Sequence, residues 1–134
     1  MRLVDVHAHL ADQAFAGDID LVLAKAFETG VVAIISCAQS IEEFKKLKEL
    51  SSKHSGKVFI TIGCDPLNLD EEYVERMRSL VMQNSRAIVG VGEVGLDFYY
   101  IRDRVEQDKQ VKFFSMWISL AKQLKLPIVV HSRS

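Results

Sequence analysis

Five short apolar runs, rich in β-branched residues, alternate with four amphipathic stretches along the whole chain. The runs are hydrophobic at nearly every position, which is typical of strands buried on both faces of a parallel sheet. Strand–helix alternation of this kind indicates βαβ units, so the predicted fold class is α/β with a parallel sheet. The predicted strands are Leu3–Val6, Val31–Ser36, Val58–Ile62, Ala87–Val91 and Ile128–Val130.

The stretches between the runs have the periodicity and the end signals of helices. Ser40 with Glu43 forms a capping box at the start of the second helix, and Asp103 with Glu106 starts the fourth. Gly30 follows the first helix as a C-terminal stop. The predicted inner faces contain Leu23, Ala26 and Phe27 in the first helix, Ile41, Phe44, Leu47 and Leu50 in the second, Tyr73, Met77 and Leu80 in the third, and Phe114, Trp117, Ile118, Ala121 and Leu124 in the fourth.

The spacing of the strands indicates the size of the fold. They begin about 25–40 residues apart, so eight such units need about 210–260 residues, the usual span of a (β/α)₈ barrel. The 134 residues then form about the first five strands and four helices of a TIM-type barrel, as part of one domain over residues 1–134. A five-stranded flavodoxin-like sheet has the same number of elements, so periodicity alone leaves both folds open.

Charge and cysteine content restrict the class of function. The formal net charge is −1, whereas general nucleic-acid binders usually have a basic excess, so local groups and bound metals must hold any nucleic-acid substrate. No apolar stretch has the length of a membrane span, and the first ten residues do not resemble a secretory signal. Cys37 and Cys64 form no C-x-x-C pattern, which favours buried packing and a reduced cytoplasmic setting over a metal or redox pair.

His7 and His9 end the first predicted strand in the segment Asp5-Val6-His7-Ala8-His9. Residues i and i+2 of a strand point the same way, so both imidazoles can approach one metal ion. Neutral imidazole is a common ligand of zinc and manganese. The alternative is two polar residues in a turn, since a bare H-x-H pair also arises by chance. The position of the His7–His9 pair at the carboxyl end of a buried parallel strand favours a metal site, because barrel active sites lie at that end.

Glu93 follows the fourth predicted strand, among small residues that let backbone segments approach closely. A carboxylate at this place can bridge two metal ions, and the alternative is a solvated loop glutamate. Gly90, Gly92 and Gly95 match the G-x-G-x-x-G pattern of nucleotide-binding loops. That interpretation is disfavoured, because the run spans a strand end and no helix start follows it.

His131 follows the fifth predicted strand and repeats the position of His7, His9 and Glu93. A lone histidine after a strand is more often structural, but this repetition favours a ligand. Arg133 could hold a phosphate as a bidentate donor, or it is a surface arginine. The fourth histidine, His54, ends a polar helix and is predicted to be solvated.

Three segments of the chain, taken as a set, resemble the early signature segments of TatD-family deoxyribonucleases. Their order and spacing match the family along the whole chain, which identifies a metal-dependent hydrolase of the barrel class. The segments are Val4–Leu10, Val91–Tyr99 and Pro127–Arg133.

The resemblance implies an enzyme that cleaves DNA phosphodiester bonds with a metal-activated water and two divalent ions, which could be Mg, Mn or Zn. It implies that His7 and His9 bind one ion and that His131 helps to bind the other. The resemblance also implies that Glu93 bridges the two ions and is the one catalytic residue present among residues 1–134. It also implies a further histidine and a catalytic aspartate on later strands. We therefore expect that a C-terminal barrel segment or another chain covers the open sheet edges, and that the 134 residues alone lack part of the catalytic set.

One segment departs from the family. Many relatives have Gly-x-His-Pro after the third strand, whereas Gly63-Cys64-Asp65-Pro66 places Asp65 at the usual position of the histidine. Asp65 could contact the substrate or a metal-bound water. The alternative, a residue of the turn that leads to the next helix, is favoured.

Two other classes of function remain open. An amidohydrolase-type lactonase or deacylase, acting on a small molecule, shares the barrel and the opening H-x-H. Many amidohydrolases bridge their metals with a carboxylated lysine at the fourth strand, where this chain has Glu93, so phosphodiester cleavage is favoured. The other alternative is a catalytically incomplete fragment or a binding module.

Overall fold

The computed structural model describes residues 1–134 as five strands and four α-helices in alternation. A single turn of 3₁₀-helix at Gln13–Phe15 precedes the first α-helix. None of the helices combines the length and the hydropathy that crossing a bilayer requires. The elements are β1 (Leu3–Ala8), α1 (Ile19–Glu28), β2 (Val31–Ala38), α2 (Ile41–Lys53), β3 (Val58–Ile62), α3 (Glu71–Gln83), β4 (Gly90–Asp97), α4 (Arg104–Leu124) and β5 (Ile128–Arg133).

The strands form one parallel sheet in the order β1-β2-β3-β4-β5. A flavodoxin-like sheet has the order 2-1-3-4-5, with its first strand in the interior, so that alternative is excluded. Sequential winding in one direction is the arrangement of a (β/α) barrel. The prediction of a partial TIM-type barrel is therefore confirmed.

The hydrophobic core lies between the strands and the helices, and every helix contributes to it. Leu23 of α1, Leu47 of α2 and Met77 of α3 are fully buried, and Trp117 of α4 is nearly so. They pack in one cluster with strand residues such as Ile62. Five parallel strands are thereby fixed in a shared register, which sets the relative positions of their carboxyl ends.

Most strands extend beyond the apolar runs that predicted them, and β4 was placed wrongly. Its predicted range was Ala87–Val91, whereas the structure has Gly90–Asp97. Gly92 and Gly95 have φ values of 136° and 157°, and a Cβ on Gly95 would collide with the backbone carbonyl of His131. The glycines therefore let β4 lie close against β5 far past the apolar run. Glu93 and His131 therefore lie inside strands, Glu93 at the middle of β4 and His131 in the second half of β5, rather than after them.

The predicted helix starts are confirmed. The Ser40 hydroxyl accepts the Glu43 N–H at 3.1 Å, and the Glu43 carboxylate accepts the N–H of Gln39 at 2.7 Å, one residue before the cap. Asp103 accepts the N–H of Glu106 at 3.1 Å. Such caps satisfy backbone donors that have no partner inside the helix.

The predicted inner face of α4 was wrong at one position. Ile118 is 45% exposed, whereas Gln110 and Leu120 are buried. The buried face of the helix runs through Gln110, Trp117 and Ala121, and Ile118 lies about 100° around the helix from Trp117. In α3, Met77 is fully buried as predicted, with Val74 and Val81 as its buried neighbours, and Tyr73 and Leu80 lie at the margin of the core.

Candidate metal centre

His7 lies near the end of β1 and His9 directly after it, and a buried serine holds their backbone. The Ser36 hydroxyl, in β2, donates to the carbonyl of Ala8 at 3.1 Å and accepts the N–H of Leu10 at 3.0 Å. One hydroxyl thus ties the H-x-H segment to the neighbouring strand. The backbone positions from which the two imidazoles project are therefore fixed.

The side chains of His7, His9 and Glu93 meet at the carboxyl end of the sheet. The two Nε2 atoms are 3.2 Å apart, and the Glu93 Oε2 atom is 3.3 Å from that of His7 and 3.2 Å from that of His9. The Glu93 side chain is 12% exposed, whereas the imidazoles are 38% and 39% exposed. Three potential ligand atoms therefore form a nearly equilateral triangle that opens to solvent on the histidine side.

The size of this triangle fits a single metal ion. Ligand atoms about 2.1 Å from one ion lie about 3.0 Å apart in an octahedral shell and about 3.4 Å apart in a tetrahedral one. The observed separations of 3.2–3.3 Å lie between these limits. Two imidazole nitrogens and one carboxylate oxygen are also a common donor set for zinc and related ions. The residues therefore fit a divalent ion in both spacing and chemistry.

His131 lies on the other side of Glu93. Its Nδ1 atom is 2.9 Å from Glu93 Oε1, and its Nε2 atom is 2.9 Å from Asp97 Oδ2. The two carboxylate oxygens of Glu93 thus face different partners, Oε2 the pair from β1 and Oε1 the histidine from β5. His131 does not belong to the three-residue cluster itself. The predicted convergence of all four side chains is observed, with Glu93 in the middle.

His131 lies between two carboxylates, so its tautomer decides which of them receives a hydrogen bond. A neutral imidazole has one N–H, so it can donate to only one of the two carboxylates that flank it. If the Nε2–H donates to Asp97 Oδ2, the Nδ1 lone pair is oriented toward Glu93 Oε1 at 2.9 Å. In this tautomer Nδ1 is the ring atom that can act as a ligand on the Glu93 side.

Asp97 is a buried carboxylate that orients His131. Burial alone raises the pKa of Asp97, but the N–H of Tyr100, His131 and Arg133 together hold it below its usual value. Tyr100 N donates to Asp97 Oδ1 at 3.0 Å, so the residue also closes a turn. One side chain therefore both contacts His131 and caps a turn. Histidines at metal sites commonly have such a carboxylate partner.

Gln110 was missed by the sequence analysis. Its buried side chain accepts the backbone N–H of Asp97 at 3.0 Å and donates to the carbonyl of Pro66 at 2.8 Å. It therefore links the end of β4 to the loop after β3. Only its place on the buried face of α4, a polar residue on an apolar face, could have signalled this role.

Asp65 and Arg133 both line the cleft above the cluster, which has a volume of about 310 Å³. Asp65 Oδ1 accepts the N–H of Leu67 at 2.9 Å, as expected for a turn residue. Arg133 is half exposed, with its Nε 3.9 Å from Asp97 Oδ2 and its guanidinium 5.4 Å from the centre of the Tyr100 ring.

The two cysteines are free and buried, as the packing interpretation predicted. Burial raises the pKa of the Cys37 thiol, and it raises that of Cys64 to about 12. Cys37 Sγ lies 3.9 Å from His7 Nδ1 and accepts a hydrogen bond from Thr61. Protonated thiols are poor metal ligands, so Cys37 packs behind His7 rather than competing for an ion.

A second cavity, of about 360 Å³, lies between α1 and α2 on the helical layer. Its floor is apolar, and it contains neither a histidine nor a group of convergent ligands. Chemistry is therefore concentrated at the carboxyl ends of the strands, where barrel enzymes have their active sites.

Comparison with known proteins agrees with this geometry. The family model for TatD related DNase matches residues 4–134. Deoxyribonuclease TATDN3 of Homo sapiens is 34% identical, and the match covers 98% of this chain and 52% of that protein. An uncharacterized metal-dependent hydrolase of Methanocaldococcus jannaschii is 32% identical over 99% of this chain and 51% of its own length. The chain thus spans about half the length of these relatives.

Solved structures show the same fold. A TatD homologue from Escherichia coli superimposes with a TM-score of 0.82 at 27% identity, covering 98% of this chain and 51% of that one. A TatD-family hydrolase from Entamoeba histolytica gives a TM-score of 0.80 at 26% identity, covering all of this chain and 50% of that one. The match of the family model over nearly all residues, together with these relatives, shows that the chain belongs to the family of TatD related DNases.

Proposed function

We propose that this protein is a divalent-metal-dependent hydrolase that cleaves phosphodiester bonds of DNA. The observation that carries the proposal is the triangle of His7 Nε2, His9 Nε2 and Glu93 Oε2, with sides of 3.2–3.3 Å. Membership of the TatD related DNase family supports DNA as the substrate class. A relative of similar sequence is named a deoxyribonuclease, which supports the same assignment.

Two ions are proposed, with Glu93 shared between them. His7 and His9 would hold the first ion with Glu93 Oε2, and His131 would help to hold the second with Glu93 Oε1. The divided contacts of the two carboxylate oxygens support this assignment. Two imidazoles and a carboxylate suit manganese or zinc better than magnesium, which prefers a shell of oxygen ligands.

The residues of the chain prepare the site for this chemistry. When bound, divalent ions polarise a phosphodiester oxygen and lower the pKa of a coordinated water. Asp97 keeps the His131 ring oriented through its contact with Nε2. Arg133 stands at the cleft as a donor for a phosphate oxygen, whereas the Asp65 carboxylate is engaged in its own turn and lies at the edge of the substrate path. Local groups thus compensate for a chain without a basic excess.

We further propose that the edges of the sheet are covered in the working protein. Val4 and Val6 of β1 are 54% and 62% exposed, and Val130 of β5 is 51% exposed. Each of these strands pairs on one side only. Exposed apolar edge strands favour pairing with further chain, either another segment or another polypeptide.

The two free, buried cysteines support a reducing compartment, and we propose the cytoplasm.

The proposal is tested by comparing three substrates. The intact protein, stripped of metal and reloaded with manganese or zinc, is incubated with DNA, a lactone and an amide. Metal-dependent cleavage of DNA alone is expected. Turnover of the lactone or the amide without DNA cleavage would support an amidohydrolase-type enzyme instead. Turnover of none of them would support a binding protein.

A further inference from the structure

A ladder of arginine and tyrosine side chains leads away from the candidate metal centre. In this Arg–Tyr ladder, the Arg133 guanidinium lies 5.4 Å from the centre of the Tyr100 ring. The rings of Tyr100 and Tyr99 are 5.0 Å apart and nearly perpendicular, and the Arg102 guanidinium lies 5.2 Å from the Tyr99 ring. Two adjacent aromatic rings in the loop after β4 are therefore flanked by two guanidinium groups, one from the end of β5 and one from the same loop.

The rings are exposed although they are large and mostly apolar. Tyr99 is 50% exposed and Tyr100 is 58% exposed. The other aromatic residues of the neighbourhood, Phe98, Phe113 and Phe114, are at least partly buried. Two adjacent exposed tyrosines, held by arginines rather than by the core, provide open ring surface for a planar ligand.

The inner end of the ladder joins the site directly. Arg133 and Tyr100 both line the cleft that contains His7, His9 and Glu93. Arg133 also approaches Asp97, the carboxylate that contacts His131. A chain of nucleotides with one phosphate at the candidate metal centre would therefore pass over the ladder.

We propose that the Arg–Tyr ladder binds an unpaired stretch of a DNA strand beside the metal centre. The rings of Tyr99 and Tyr100 stack on bases, and the guanidinium groups of Arg102 and Arg133 bind the phosphates on either side of these bases. Aromatic stacking combined with basic groups is the usual way in which proteins hold single strands without reading their sequence. The ladder places two guanidinium groups beside the cleft of a chain whose net charge is −1. This inference rests on the proposed function, because it names where the DNA substrate lies.

Binding can be measured without catalysis. The probe is a fluorescein-labelled oligothymidylate, with a blunt duplex of equal length as the comparison. Fluorescence anisotropy of the intact protein in EDTA gives Kd values at one fixed salt concentration. Preferential binding of the single strand is expected. The Tyr99→Leu and Tyr100→Leu variants should each raise its Kd about tenfold, since a stacked base is lost, whereas Tyr99→Phe and Tyr100→Phe should stay within about twofold because the ring remains.

Two arginines provide a matched pair for the phosphate contacts. Arg102 belongs to the ladder, whereas Arg104 is 84% exposed and lies beside Asp108 on α4. Arg102→Gln should weaken binding about fivefold to tenfold and reduce its salt dependence, and Arg104→Gln should have little effect. Equal effects of the two changes, or wild-type binding by both leucine variants, would overturn the proposal.

Hydrolysis of methyl p-nitrophenyl phosphate by the manganese-loaded wild-type protein separates the two proposals. Hydrolysis of this small diester needs the metal centre, but the molecule is too small to reach the Arg–Tyr ladder as well. Its hydrolysis together with wild-type DNA binding by the leucine variants would reject the ladder alone. The expected binding pattern without any metal-dependent hydrolysis would support the ladder as a DNA surface and reject the catalytic function.

Discussion

The ligand atoms of the triangle come from β4 and from the end of β1, and these two strands differ in their burial and in their number of neighbours. β4 lies between β3 and β5, and its residues Val91 and Val94 are fully buried. β1 pairs only with β2, and Leu3, Val4 and Val6 are 44%, 54% and 62% exposed. Their ligand atoms nevertheless lie 3.2–3.3 Å apart. Register and backbone hydrogen bonds, rather than burial of each strand, therefore bring the ligands together.

The ligands from β4 and from β1 differ in their exposure and in the contacts that hold them. Glu93 is 12% exposed, on a strand fixed from both sides, and it contacts all three histidines. His7 and His9 are more than one-third exposed and depend on Ser36 for their anchor. The carboxylate is thus held on a strand paired on both sides and contacts every histidine of the site, whereas the β1 histidines face solvent.

Glu93→Gln tests the contribution of β4 and has the largest expected effect. The amide keeps the volume but removes the charge that faces three imidazoles. Metal-dependent DNA hydrolysis by the intact protein should fall at least about 100-fold, with little change in Tm. Initial rates and a thermal melt measure both. Glu106→Gln, on the exposed face of α4, is the control and should behave as wild type. Wild-type turnover by Glu93→Gln would remove β4 from the chemistry.

A pair of substitutions compares the interior with the edge. Leu47 of α2 is fully buried in the core, whereas Val6 of β1 is 62% exposed. Leu47→Ala should lower the free energy of unfolding by about 2–5 kcal/mol, because it leaves a cavity. Val6→Ala should cost about 1–2 kcal/mol in the intact protein, because the proposed cover buries a side chain smaller than leucine. Urea unfolding of the intact protein measures both values. A loss close to zero for Val6→Ala would show that β1 stays exposed and would contradict the proposed cover.

Ser36→Ala tests the anchor of β1. It leaves the Leu10 N–H without its hydrogen-bond partner, which should cost about 1–3 kcal/mol. Metal affinity should fall about tenfold, because the H-x-H segment loses its fixed backbone. Equilibrium dialysis with zinc measures the affinity, and Ser52→Ala on exposed α2 is the control. An unchanged affinity would mean that backbone pairing with β2 alone positions β1.

Asp20→Asn concerns a contact remote from both strands and has the smallest expected effect. Hydrogen bonds from Lys53 and His54 lower the pKa of Asp20 below its usual 3.8. A lowered folded-state pKa contributes stability above the usual value and loses it as the pH falls through the folded value. A small Tm deficit at pH 7 should therefore close below about pH 3.8. Asp18→Asn, which removes no side-chain cap, is the control. A deficit independent of pH would contradict the ion-pair account.

Much of the fold could be predicted from the apolar runs. Parallel strands buried on both faces are continuously hydrophobic, and their carboxyl ends share one edge of the sheet. That shared edge is why the sequence alone groups His7, Glu93 and His131. The order of the strands could not be predicted from the apolar runs alone, because a flavodoxin-like sheet has the same alternation of elements; the signature segments that resemble the TatD family favoured the barrel.

Other features depend on contacts between distant parts of the chain. The extent of β4 is set by its approach to β5 at Gly92 and Gly95, which the apolar run does not report. Gln110 is buried because its amide reaches both Asp97 and Pro66, 13 and 44 residues away. His54 was predicted to be solvated, but it is half-buried, and its Nε2 lies 3.3 Å from Asp20 Oδ1. Such pairings are properties of the folded chain and have no local pattern.

Anomalous diffraction is the most direct test of the central claim that β1 and β4 share one metal ion. Crystals of the intact protein are grown with manganese or zinc and measured above and below the absorption edge of that metal. The account predicts a peak about 2.1 Å from the Nε2 atoms of His7 and His9 and from Oε2 of Glu93. A metal peak that is bonded to other residues, with these three side chains free of it, would contradict the account.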